Sequence, residues 1–294
     1  MTTNAPVPVT RVDSWRLLLG NPVTAVSAAV LAAVAGIAVG ADWLVPYGIN
    51  DVNVPSALQS PSGAHWFGTD ELGRDVLSRV LVAIQASMEV AVVSVAFALM
   101  VGVTIGVIAG YRGGWVDAVF MRVVDVMFAF PVLLLALAIV AILGPGVITT
   151  MLAIGVVYTP IFARVARAST LSVRVEPFVQ VSRTMGTGHG YILARHVLPN
   201  IAGPLIVQTS LSLAFAILSE AALSFLGLGI QPPQPSLGRM IFDSQGFVTL
   251  AWWMAVFPGA AIFVIVLAFN LFGDGLRDAL DPKQRTMHEA RRKQ

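Results

Sequence analysis

Three acidic residues stand where acids are costly. Glu89, Asp125 and Glu220 lie in or near long apolar runs, and a carboxylate at the centre of a bilayer costs about 2.5 to 3.5 kcal/mol on insertion scales. Residues kept at such a cost are candidates for a functional site by default. They could line a water-filled path, relay protons or pack against polar partners. Counted from the ends of their runs, Glu89 and Glu220 sit toward one face and Asp125 toward the other, which favours pathway lining or packing over a proton relay.

Other reactive chemistry is sparse. The chain has no cysteine, which removes disulfides, thiolate metal sites and a cysteine nucleophile together. Its four histidines, His65, His189, His196 and His288, form no HExxH pair, and neither GxSxG nor GxxxxGK[ST] occurs. The GTGHG run from Gly186 to Gly190 follows no strand and precedes no phosphate-binding lysine. An intramembrane enzyme would need a metal cluster or a nucleophile and base on facing helices, and none of the four histidines falls inside an apolar run.

The elements that must position these residues are membrane helices. Of 294 residues, 56% are hydrophobic and 12% charged, with mean hydropathy +0.81, against roughly 25% charged in a soluble domain. The net charge of +2 and isoelectric point near 9.3 come from basic residues scattered singly between apolar runs, which make no nucleic-acid surface. Apolar runs fall at about 22–46, 84–110, 118–143, 147–171, 201–229 and 252–273, each close to the roughly 17 to 25 residues of a span. The expected architecture is all-α, with six transmembrane helices. The first run is too long for a signal-peptide core and should stay as an anchor. Pro131, Pro160, Pro204 and Pro258 interrupt spans and allow bends. Trp252 and Trp253 fit an interfacial belt.

Charge fixes the expected orientation. With a cytoplasmic N-terminus, only Arg74, Arg79 and Arg239 of the 18 Lys and Arg fall outside, and fifteen, from Arg11 and Arg16 to Lys293, fall inside. That is the positive-inside pattern. Both termini are then cytoplasmic. Residues 1–82 comprise the N-terminus, first span and external segment, 83–274 the main helical domain, and 275–294 a cytoplasmic tail.

One cytoplasmic stretch is too polar and broken to cross a membrane: EPFVQVSRTMGTGHGYILARHVLPN, residues 176–200. Pro177 suits a first helical turn and Gly186 a helix end with positive φ. Between them Phe178, Val181 and Met185 share one face, while Gln180, Arg183 and Thr184 point elsewhere. A second short helix is expected over Tyr191 to Val197, closed by Leu198-Pro199. On the other side of the membrane, GTDELGRD predicts a short, solvated surface helix capped by Thr69 or Asp70, with Asp70, Glu71, Arg74 and Asp75 as near-neighbour ion pairs. That reading is favoured over direct substrate contact.

The spacing from Gln180-Val181-Ser182 to Gly186 and Leu198-Pro199 resembles the EAA loop of bacterial ABC-importer permeases, although Gln180, Val181 and Ser182 replace Glu-Ala-Ala. Two further stretches resemble the peptide and nickel branch of that family. They are FGTDELGRDVLSR, Phe67 to Arg79, and Glu220 to Pro282, with EAALSFLGLGIQPPQPSLGRMI and the Trp252-Trp253 pair. The resemblance implies a type I ABC importer permease in a bacterial inner membrane, with peptides as the cargo class. It implies a sister permease, two ATPase subunits carrying ATP and Mg, and an extracytoplasmic peptide-binding protein, with no cofactor and no catalytic or metal site on this chain. It also implies that Glu176, Phe178, Gln180, Val181, Ser182, Arg183, Met185, Gly186, Leu198 and Pro199 belong to the loop that docks on the ATPases. An ion-coupled secondary transporter acting alone is the alternative, but no inverted repeat is visible.

Overall fold

The computed structural model describes residues 21–280, so Arg11, Arg16 and the basic positions from Lys283 onward lie outside the described residues. Asn21 caps the first helix, α1 (Pro22–Leu44), by accepting the Val23 N–H at 3.0 Å, with proline in the first turn where its missing donor costs nothing. Asp75 caps α2 (Val76–Arg112) by accepting from the Ser78 N–H at 2.8 Å. Then follow α3 (Gly114–Phe128), α4 (Val132–Leu143), α5 (Val147–Val173), α6 (Pro177–Thr184), α7 (His189–Ile192), a π turn (Leu193–Val197), α8 (Leu198–Phe225), α9 (Leu237–Asp243) and α10 (Trp253–Leu280).

The bundle is built on the pairing of α2 with α5. Gly102, Gly106 and Gly110 recur every fourth residue along α2 and present bare backbone to α5. A Cβ at Gly102 would lie 2.6 Å from the Thr159 carbonyl oxygen, and one at Gly110 2.9 Å from that of Arg167. Lipid tails are as apolar as leucine, so such close backbone packing is what holds membrane helices together. On the far side, α8 meets α10, where the Ser210 hydroxyl donates to the Phe269 carbonyl at 2.9 Å. α1 lies across α2 and α10, with Thr24 against Gly275. The first span is therefore packed into the bundle.

One expectation is sharpened and two are corrected. Among the described residues five helices are long and apolar enough to span, and the pair α3 and α4, bent by 91° at Ala129–Pro131, makes six if it is one broken span. The run 118–143 is thus broken at Pro131, whereas α5, α8 and α10 continue through Pro160, Pro204 and Pro258. Secondly, Leu198-Pro199 closes nothing. The Leu198 N–H reaches back five residues to the Leu193 carbonyl, and this π turn carries the chain over the position where proline offers no donor, placing Pro199 in the first turn of α8. α7, the turn and α8 form one continuous apolar helix, His189–Phe225.

Thirdly, residues 65–75 form no surface helix. The Asp70 carboxylate accepts from the Leu72 and Arg74 amides, each at 2.9 Å, and Gly73 adopts φ +76°. Side-chain capture of those amides competes with the helical ladder, so helix starts only at Val76. The predicted charges do pair, but inward: Arg74 Nε donates to Asp70 at 2.6 Å, and Arg79 lies 3.6 Å from the same carboxylate, all three being largely buried. Trp253 is buried and donates to the Thr69 carbonyl at 3.0 Å, while Phe67 stacks on Phe257 at 3.9 Å. Of the tryptophan pair, only Trp252 is exposed enough for a membrane interface.

Candidate coupling surface and intramembrane polar sites

The stretch 176–200 is built from its ends. Glu176 has extended backbone and offers its carbonyl to the Val179 and Gln180 amides, with Pro177 in the first turn of α6. At the other end Gly186, at φ +75°, donates to the Arg183 carbonyl and Thr187 to that of Ser182. This is a Schellman cap, and its left-handed residue is nearly free only for glycine. It also occupies the Gly186 and Thr187 amides, which a phosphate cradle would need. Gln180 donates to the Arg174 carbonyl at 2.9 Å, tying α6 to the end of α5, and the Ser182 hydroxyl back-bonds to Phe178.

Val179, Ile192 and Val197 are fully buried and fix the two short helices to the bundle. Tyr111, at the end of α2, hydrogen-bonds His189 at 3.1 Å, and the Arg183 guanidinium lies 5.7 Å from the Tyr111 ring. The opposite face is open. Phe178, Val181 and Met185 are exposed, Met185 at 78%, as are Leu198 and Pro199. Phe178, Val181 and Met185 thus form one exposed stretch, whereas Leu198 opens on an apolar groove between α2 and α8, beside Met100 and Val103. Sequence reasoning missed the anchors Val179, Ile192 and Val197, and the Tyr111–His189 link. Val179 falls between the spaced apolar positions and has no signal of its own.

The three acids are treated differently. Glu220 is fully buried on α8, accepting from Ser87 of α2 at 2.6 Å and Ser224 at 2.7 Å, while Ser224 also accepts from the Ile230 N–H. It is a packing node between two spans. Glu89, two residues beyond Ser87, is exposed on α2. Asp125 on α3 is exposed and pairs with Arg164 of α5 at 2.9 Å, and Arg164 also stands over the Phe128 ring at 4.0 Å. About one turn further along α5, Arg167 makes two bonds to Asp117 of α3, one at 2.6 Å. Among the described residues no cluster of three or more His, Asp or Glu could hold a metal.

Known proteins place these features. The family described as binding-protein-dependent transport system inner membrane component matches residues 102–286. The chain is 43% identical to the dipeptide transport system permease protein of Alkalihalophilus pseudofirmus, over 96% of this chain and 95% of that one. It is 43% identical to a probable D,D-dipeptide transport system permease of Escherichia coli (91% and 90% covered) and 42% identical to the glutathione transport system permease of Pectobacterium atrosepticum (92% and 90%). Its fold is similar to a chain of the MetNI methionine ABC transporter, with TM-score 0.58 at 18% identity, covering 70% of this chain and 98% of that one. The chain belongs to the binding-protein-dependent transport system inner membrane component family and is a permease subunit of an ABC importer.

Proposed function

We propose that this chain forms one half of a peptide-import pathway in a bacterial inner membrane. A sister permease forms the other half, and an extracytoplasmic binding protein delivers the cargo. Two ATPase subunits, which carry the ATP and Mg, grip residues 176–200. The cargo class rests on the relatives, whose names specify dipeptide, D,D-dipeptide and glutathione transport. Both termini lie in the cytoplasm, as the charge distribution favours.

The observation that carries this reading is the open face of α6. A helix of eight residues is too short to be stable alone, and Val179 is the only residue of α6 that is fully buried. Leaving Phe178, Val181 and Met185 in water makes sense if a partner covers them. Burial of such side chains contributes roughly 1.5 to 3 kcal/mol each when complete. The Gly186 cap sets the angle between α6 and α7, and the Tyr111–His189 bond links that angle to α2. ATP-driven closure of the partners can then be passed to the spans as a rigid-body movement.

Reconstitution tests the division of labour. The purified chain alone is expected neither to hydrolyse ATP nor to move a dipeptide, while the complex with its sister permease, ATPases and binding protein does both. ATP turnover by the isolated chain, free of contaminating ATPase, would overturn the assignment.

A further inference from the structure

Two ion pairs join α3 to α5, and they are built for different tasks. Asp117–Arg167 is bidentate and its side chains are 17% and 33% exposed. Asp125–Arg164 has a single hydrogen bond, and its side chains are 59% and 53% exposed. The first has the geometry of a fixed strut. The second has spare lone pairs and spare guanidinium donors facing outward.

Its position is unusual for an open charge pair. Asp125 lies eleven residues into α3 and Arg164 nine residues from the end of α5, about 14 to 17 Å of helix from the cytoplasmic ends. A helix of 27 residues overhangs a hydrocarbon core of about 30 Å by roughly 10 Å, so the pair lies within the cytoplasmic half of the core, short of its middle. Ionisable side chains at such depth face the bundle interior or a water-filled cavity. The backbone gives an independent pointer. The chain breaks between Phe128 and Val132, three residues past Asp125, and turns by 91°. Non-helical backbone at membrane depth persists only where protein buries it or water reaches it. Phe130 in that break is exposed.

We infer that the Asp125–Arg164 pair at the α3–α4 break is a cargo-binding site on the aqueous pathway, taking the two charged ends of a zwitterionic peptide. This rests on the peptide-import reading above. The peptide ammonium replaces Arg164 on Asp125, and its carboxylate replaces Asp125 on Arg164, so both members of the pair keep a partner of opposite charge once the peptide is bound. Arg164 is held for this by its contact with Phe128, which leaves the planar donor edge free for a carboxylate. Glu220 cannot serve in the same way, because both its oxygens are already occupied by serine hydroxyls.

The absence of cysteine makes the test direct. In the reconstituted complex, Phe130→Cys is expected to react with a water-soluble methanethiosulfonate, and saturating Ala-Ala dipeptide should slow that reaction about tenfold, relative to the same complex with the parent chain. At saturating loaded binding protein, the double neutral variant Asp125→Asn/Arg164→Gln should import Ala-Ala at least about tenfold more slowly, as expected for losing charge-assisted bonds. Assembly, followed by size-exclusion chromatography of the complex, should persist. A thiol that is unreactive or unprotected, in a complex that does import the dipeptide, would overturn the site. So would normal import by the double variant, since removing an exposed structural pair has little effect. A parent complex that imports no peptide would instead sink the cargo reading on which the site depends.

Discussion

Two polar interruptions flank the membrane spans, and they solve the same problem in opposite ways. Residues 47–75 fold their polar groups inward: Asp70 satisfies two amides and two arginines, Asp75 caps α2 and meets His65 at 2.9 Å, and Trp253 locks the segment through Thr69. Residues 176–200 turn an apolar face outward and hold it with one glycine cap and three buried anchors. The first region finds most of its polar partners within this chain, and the second, on the function proposed above, is completed by another subunit. A polar break between spans thus does not declare its role by composition. What separates the two is whether the hydrogen-bonding and apolar groups find partners at home.

Breaking the inward region should therefore cost folding, and breaking the outward one should cost assembly. Asp70→Ala leaves Arg74 and Arg79 largely buried without their shared carboxylate, and removing one partner of a buried pair costs about 3 to 5 kcal/mol. Loss of folded, detergent-soluble chain is expected, read as yield and melting temperature. Near-normal melting would place the external network outside the folded core.

Gly186→Val should act at the other region with a smaller effect on the fold. A Cβ there meets nothing within 4 Å, so the cost is the left-handed backbone alone, roughly 1 to 2 kcal/mol. Insertion should survive and peptide uptake should be lost, because α6 no longer meets α7 at the same angle. Uptake equal to that of the parent would reduce the stretch to a connector.

The smallest effect concerns pH. Burial, then the adjacent Asp70 carboxylate, hold Glu71 above its ordinary value of 4.5, and one of its carboxylate oxygens is buried without a hydrogen-bond partner. A raised acid favours the folded state below the unfolded value, and that contribution is lost as pH rises through the folded one. Glu71→Gln should consequently raise the melting temperature at neutral pH, with the gain shrinking as pH falls toward 4.5. A pH-independent difference would assign the effect to something other than the charge.

Much of the outward region was legible in the sequence. Pro177 and Gly186 bracket α6 through local backbone chemistry, and the spacing of Phe178, Val181 and Met185 marks its face. The buried anchors were not legible, since an eight-residue helix with apolar residues on two sides does not say which side the bundle covers. The α2–α5 contact carries a readable signal, glycines at 102, 106 and 110 within an apolar run. The break at Pro131 carries none that separates it from Pro160, Pro204 or Pro258, because a bend depends on what neighbouring helices hold in place, here Arg164 on Phe128 and Asp125. The external segment misled because Asp70 reads as a helix cap, whereas its carboxylate takes the amides that a helix would have used.

The central contrast is tested most directly by following one thiol on each side. Met185→Cys should label freely in the two-permease complex and become protected when the ATPases are added, while Gln59→Cys, exposed on the external segment, should label equally in both. Equal labelling of position 185 with and without the ATPases would contradict the assignment of residues 176–200 as the surface that another subunit completes.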